Sequence, residues 1–540
     1  MANKKKYTPA KTGDVAKLIM IWVVNAYIFL MMAIYPLYYK NKYYDMCDAK
    51  WGFYKNVSAV FAAVAAIVLI WYTGCFVAEK KLKSLLSDAY KNVAVTDLFA
   101  VAYLIICCIS TLITPYRKNV IWGCDGWYMG LVAQVSFVLV YFFVSRFWRW
   151  DTVNLCIFLM TAFAVFFLGV IMRFGVDPLE MYVGLDEYNI SYFISTLGQV
   201  TWYSSYMCII LPLGLVAYWG TQNSRLRIAF GMFCVMGFMT AVTQNSDSAY
   251  VALFGMFFVL FWISLESDEK FLRFLECVIL ALVSFKIIGL LQKIYAEKMV
   301  KPDTLSIFLS QSMVTLFLLV VMVLIYLVMR FYVFEKTDFH IVSLKIIRVI
   351  MLVLIILGAA GVIIYTYIHS AGKLPQKRLA NGNYFVFNDN WGNNRGVSWR
   401  CSVEGYIKQD LIYKLFGVGP DNFVEYIYAN YKTDFANILG EKIIQMCAHN
   451  EWLNALINVG LFGLIAYLGI FIMSFKDCMK KASNYPYLYG VAIAIVAYIF
   501  HNFFCYQQII CTPTIFILMG MAQSVIRNGY ADEYESSLAG

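Results

Sequence analysis

Apolar runs of about twenty residues recur from one end of this chain to the other, and each is long enough to cross about 30 Å of hydrocarbon as a helix. They fall near 16–39, 57–78, 94–113, 128–146, 153–173, 198–219, 226–244, 247–265, 271–292, 305–331, 345–369, 451–474, 486–505 and 508–526. A chain built this way is constrained before any residue is given a role. In lipid every backbone polar group must be satisfied within the protein, so the runs are expected to be helices. Composition agrees: 61% of the 540 residues are hydrophobic and only 14% are charged, against about 25% charged in soluble domains. The fold expected is an all-α integral membrane protein of about fourteen transmembrane helices.

The short connectors set the orientation. Lys4, Lys5 and Lys6 precede the run Leu18 to Tyr39, which reads as a retained signal-anchor. Counting from that end, Lys80, Lys81, Lys83, Lys91, Arg146, Arg149, Arg225, Arg227, Lys476, Lys480 and Lys481 all fall on one side. The opposite connector, Phe174 to Tyr192, is acidic, with Asp177, Glu180, Asp186 and Glu187. The positive-inside rule then predicts cytoplasmic N- and C-termini. The net charge of +10 is dispersed through these loops; no block resembles a nucleic-acid patch, and no nucleic-acid partner is expected.

One connector is different. Residues 370–450 are polar, and a structureless loop of that length is improbable. The organisation expected is a bundle over 1–369, an extracytoplasmic, partly helical loop domain over 370–450, three further helices over 451–526, and a tail over 527–540. Within the loop, 380–395 reads as Asn-rich turns. Val397 to Leu415 has helical spacing, stopped by Gly417, Gly419 and Pro420, and a second amphipathic helix runs from Asp421 to Tyr431.

Candidate chemistry is sparse. Of four histidines, His340 falls on an inner loop, and His369, His449 and His501 fall at the outer ends of helices. A histidine there is wettable and titratable. Arg378, Arg395 and Arg400 lie near the same plane, and the guanidinium fork suits phosphate oxygens. The fourteen cysteines show no metal-type spacing, no Asp-rich metal box is visible, and no Gly-rich phosphate loop is present.

Four motifs, in order and spacing, carry a resemblance. Gly198-Gln199-Val200-Thr201-Trp202-Tyr203-Ser204 precedes a mid-chain helix with Pro212. Thr243-Gln244-Asn245-Ser246-Asp247-Ser248 forms a turn. Arg395 and Trp399 stand before Gly417-Val418-Gly419-Pro420-Asp421-Asn422-Phe423. His449-Asn450-Glu451 opens a helix, and Gly460-Leu461-Phe462-Gly463-Leu464 follows. Over roughly 195–470 this resembles the O-antigen ligase and Wzy-type polymerase superfamily.

The resemblance implies a bacterial inner-membrane glycosyltransferase of cell-surface polysaccharide assembly. It would use an undecaprenyl-diphosphate-linked glycan donor and a glycan, lipid or protein acceptor among the membrane lipids, with no cofactor and no metal. His449 and Arg395 would be catalytic. Arg400, Trp399, Asn450, Glu451, Asp247 and His501 would bind substrate. Polymerase and ligase stay open alternatives, and a lipid-linked oligosaccharide flippase is the competing class. Two departures stand out. Asp247 occupies a position where many members carry arginine, for which Arg117 or Arg173 could substitute. Fourteen spans also exceed the dozen or so associated with the family. If the arginines and histidine converge, Cys401 and Cys447 could pair, closing a loop of about 45 residues; two packed thiols, or pairing with Cys47 or Cys124, are the other readings.

Overall fold

A computed structural model describes residues 12–341, 345–371 and 385–528. Lys4 to Lys6, Arg378, Asn381, Asn383 and the acidic tail from Ala531 lie outside the described residues.

The chain opens with α1 (Thr12–Phe29), prolonged by a π turn at Leu30–Ile34 and a 3-10 turn at Tyr35–Leu37. Then come α2 (Met46–Ala78), α3 (Leu82–Lys91), α4 (Val95–Ile113), α5 (Leu131–Phe147) and α6 (Thr152–Arg173). A short α7 (Glu187–Tyr192) leads into a two-stranded antiparallel ribbon, β1 (Phe193–Ile194) with β2 (Gly198–Gln199). Next are α8 (Val200–Gly220), α9 (Ser224–Thr243), α10 (Ser248–Ser264), α11 (Asp268–Ile294), α12 (Thr304–Gln311), α13 (Met313–Val328), α14 (Phe334–Lys336) and α15 (Lys345–Ser370). The long connector carries α16 (Trp391–Lys408), α17 (Leu411–Phe416) and α18 (Phe423–Leu439), and the chain closes with α19 (Glu451–Lys481), α20 (Tyr487–His501) and α21 (Thr512–Asn528).

Among the described residues ten helices are long and apolar enough to cross a membrane, and α5, α10 and α20 are shorter apolar helices. The protein is an all-α polytopic membrane protein. α8 runs through its middle, with Val200 to Pro212 buried without interruption. α13 and α15, by contrast, show apolar side chains on all sides, as lipid-facing helices do.

Two departures from the periodicity have local causes. The run 305–331 is broken at Ser312, whose extended backbone (ψ 150°) lets its hydroxyl cap Thr315. The Lys286 ammonium takes up the exposed carbonyls of Ser310 and Ser312. The helix expected from Val397 to Leu415 divides at Gln409–Asp410, both extended, so that α17 turns back against α19.

The helices of the long connector gather a small core of their own: Val397, Cys401, Val418, Phe423, Ile427 and Phe435. That core is fastened to the bundle by backbone crossing backbone. α19 opens at Gly460 (φ 70°, ψ −173°), and the freed carbonyls of Ile457 and Asn458 accept from the N–H groups of Val418 and Gly419. A Cβ at Gly417 would stand 2.3 Å from the Asn458 carbonyl oxygen, and one at Gly460 would stand 2.5 Å from the Leu415 backbone. The glycines of both motifs are there to let two main chains touch.

Candidate functional site

Both ends of the bundle carry polar residues, and they differ in kind. At one end Asp97 is saturated: Arg146 and Arg527 donate to its Oδ2 and the Tyr141 hydroxyl to its Oδ1. This cluster ties α4, α5 and α21 together and leaves nothing to offer a substrate. At the other end, where α16 to α18 sit, polar groups are left unpaired.

His449 lies in the turn before α19 with φ 47°, a left-handed conformation that bulky residues rarely adopt. Asn450 explains why the turn holds. Its side-chain oxygen caps α19, accepting from Trp452 and Leu453 N–H at 3.0 and 3.1 Å. The half-buried imidazole meets the Tyr506 ring edge to face, centroids 5.1 Å apart. Its Nδ1 is buried and has no hydrogen-bond partner. Burial, reinforced by the nearby Arg395 charge, pushes the imidazole down to about 3. The ring is therefore neutral, with a free nitrogen.

Arg395 starts the right-handed part of α16, after a left-handed stretch at Gly392, Asn393 and Asn394. Its Nη1 donates to the Gly392 carbonyl at 2.8 Å, its Nε is buried without a partner, and no carboxylate pairs with it among the described residues. One turn on, Trp399 has an unpaired buried Nε1 and packs against Trp391 at 5.1 Å and Phe504 at 6.0 Å. Asp247, solvent-facing before α10, senses the same region: partial desolvation and the Asp303 carboxylate raise its pKa, and Arg395 opposes them.

The remaining expected residues serve other ends. Arg400 is spent on its own neighbours, donating to both oxygens of Asp389 and to Asp434 and Glu404 at 2.8–3.2 Å. The structure does not bring it to Arg395 and His449. We expect Arg400→Ala to lower the melting temperature, at a cost of about 1–2 kcal/mol, with turnover per folded molecule unchanged; loss of turnover without loss of stability would return Arg400 to the site. Arg117 and Arg173 are likewise engaged, on the carbonyls of Thr111 and Leu112 and of Thr243, Ile190 and Ser191. His501 is fully buried, with Nε2 2.8 Å from the Ser204 hydroxyl and Nδ1 3.3 Å from Asn502 Oδ1. Glu451 is buried and accepts from Gln507 N–H at 2.6 Å. His369 packs on Tyr365 at the end of α15. Cys401 and Cys447 are both free thiols, in different cores, so the pairing considered from sequence is not formed.

One element could not be expected from composition. The apolar stretch 502–511 is not helical; it is buried irregular backbone between α20 and α21. It brings the distant motifs together. The Tyr506 hydroxyl donates to Gln199 Oε1 at 3.0 Å and accepts from Trp202 Nε1 at 3.3 Å, and Cys505 Sγ donates to Ser248 Oγ at 3.3 Å. The sequence signal was Gln507-Gln508, two amides that interrupt an apolar run.

Fold and site together define a polytopic membrane protein with an unpaired arginine and a neutral histidine at its loop-bearing end. A family model described as O-antigen ligase matches residues 303–468, the stretch that holds both groups. Over that stretch the chain is similar to the O-antigen ligase/Wzy superfamily, and the match supports a membrane activity of the glycosyltransferase type, a ligase or polymerase of polysaccharide biosynthesis. No curated protein matches the chain.

Proposed function

We propose that this protein transfers a glycan from an undecaprenyl diphosphate to an acceptor hydroxyl at the outer face of the cytoplasmic membrane, with both termini and the tail in the cytoplasm and 370–450 as an extracytoplasmic loop domain. The observation that carries the reading is the juxtaposition of a guanidinium without a carboxylate and an imidazole nitrogen without a partner, inside the stretch that matches the family.

The chemistry asks little of the protein beyond position and charge. The acceptor oxygen bonds to the anomeric carbon as the carbon–oxygen bond to the diphosphate breaks, and the electron pair leaves with the diphosphate. Arg395 meets the growing negative charge with its planar fork. His449 Nδ1 takes the acceptor proton. The two roles are coupled: a diphosphate on Arg395 offsets the positive charge that adds to burial in holding His449 down, so the base strengthens when the donor is bound. Trp399 offers an indole N–H and an aromatic face to the sugar. Asn450 and His501 hold the frame, and Asp247 faces the site as a polar contact. Neither a catalytic metal nor a cofactor enters this scheme.

Three measurements test it. Purified protein in lipid nanodiscs, given lipid-linked oligosaccharide and an acceptor, is expected to form new glycosidic bonds; movement of the lipid-linked glycan without bond formation would make the protein a transporter. Arg395→Lys keeps the charge and loses the fork, so kcat/KM is expected to fall at least about tenfold. In the free enzyme kcat/KM is expected to stay flat between about pH 5 and 8, because the imidazole is neutral throughout. Arg395→Gln moves the acid limb upward. An acid limb at the ordinary histidine value in the wild type would sink the assignment of His449.

A further inference from the structure

Beneath the His449 turn, where α4, α5 and α19 meet the stretches around Asp421 and Gln507, lies a polar chamber of about 20 Å³. Asp421 and Glu451 both line it, 6% and 3% exposed, and no lysine, arginine or histidine does. Each carboxyl is half satisfied. Asp421 Oδ2 accepts from Cys124 and Met129 N–H at 2.8 and 3.0 Å, and Glu451 Oε2 accepts from Gln507 N–H. The two glutamine amides that line it are turned elsewhere: Gln134 Nε2 gives to the Met129 carbonyl and Gln507 Oε1, and Gln507 Nε2 gives to the Tyr467 hydroxyl. Asn458, 7% exposed, lines the same space with an Oδ1 that has no partner. It stands beside the opening of α19 at Gly460, the kind of helix break that membrane proteins use to coordinate cations.

Two buried carboxyls and an unpaired amide oxygen around a space of this size ask for a positive charge that the side chains do not supply. The volume suits one ion or one water and excludes an organic group. An all-oxygen donor set selects a hard cation, and two carboxylates balance a divalent one. We propose that this chamber binds one calcium ion, bridging Asp421 to Glu451 with Asn458 Oδ1 as a further ligand. The ion would clamp the Gly419–Asn422 turn to the first turn of α19, two residues past His449. It braces the site and forms no bond to a reacting atom, so it stands whether or not the transfer chemistry proposed above is right.

Terbium tests the site directly, because Trp127 and Tyr103 line the chamber and can sensitise its emission. Full-length protein in nanodiscs, stripped with chelator, is expected to give saturable terbium emission that calcium displaces. Asp421→Asn and Glu451→Gln each keep the oxygen that accepts from the backbone, and together are expected to abolish that displaceable component. Trp127→Phe dims the emission and leaves intact the rise in melting temperature with added calcium. The proposal is overturned if wild-type emission matches that of the double variant, or if calcium leaves the wild-type melting temperature unchanged. It is also overturned if the double variant still shows the calcium-dependent rise.

Discussion

His449→Ala is expected to abolish product formation while the protein reaches the membrane at its normal level. The side chain supports little of the fold. Its Nδ1 has no partner, and its principal contact is the edge of Tyr506, an interaction worth about 0.5–1.5 kcal/mol. Asn450, Glu451 and the backbone hold the turn. What is lost is the acceptor for the substrate proton, and removing a positioned general base costs about 10²–10⁴-fold in rate. Because φ is 47° there, His449→Asn is the better-tolerated control: asparagine adopts the left-handed region readily and should be equally inactive. His340→Ala should be silent, since His340 is exposed at the other end of the bundle and pairs with Asp268. Initial rates, normalised to monodisperse protein, decide. A His449→Asn enzyme with wild-type turnover would leave Arg395 without its partner and end the proposed mechanism.

Gly460→Ala is expected to remove the folded protein altogether. Two costs add at this residue. Its backbone, with φ 70° and ψ −173°, lies in a region open essentially to glycine alone. A methyl group would also stand 2.5 Å from the carbonyl of Leu415 and the amide of Phe416, and neither can swing aside as a side chain would. Relief would require α17 to move off α19, breaking the bonds from Val418 to Ile457 and from Gly419 to Asn458. We expect a loss of about 3 kcal/mol or more, read as loss of the monodisperse peak or a large fall in melting temperature. Gly440→Ala is the comparison. Gly440 also has positive φ, 84°, but a Cβ there would meet open space, so it should cost only about 1 kcal/mol. Equal behaviour of the two would mean that the main-chain crossing is not what the glycine protects.

The spans were legible because a helix in lipid needs only length and apolar composition, and both are local properties. Each of the fourteen runs overlaps a helix, though 305–331 is split at Ser312, 451–474 opens at Gly460, 486–505 is helical only to His501 and 508–526 only from Thr512. Helix starts were legible for the same reason: Asn450 caps α19 with the side chain nearest in sequence. Arg395, Trp399 and His449 could be singled out by residue type and by resemblance. Arg400 looked as good as Arg395 from the sequence, because a guanidinium's value to a ligand depends on what else holds it. Asp389 and Asp434, eleven residues before it and thirty-four after, take it out of play.

What the sequence by itself determined, then, is the set of membrane helices and the motifs of residues 195–470. The tertiary structure alone decided which polar groups are left unpaired. It folds the apolar stretch 502–511 into irregular backbone, so that Tyr506 meets Gln199, Trp202 and His449, the first of them 307 positions away. It crosses Gly417 with Gly460, which opens α19 and sets Asn458 beside Asp421 and Glu451. Length and hydropathy are summed along the chain. Hydrogen-bond satisfaction is settled across it, by partners that only packing brings within 3 Å or so.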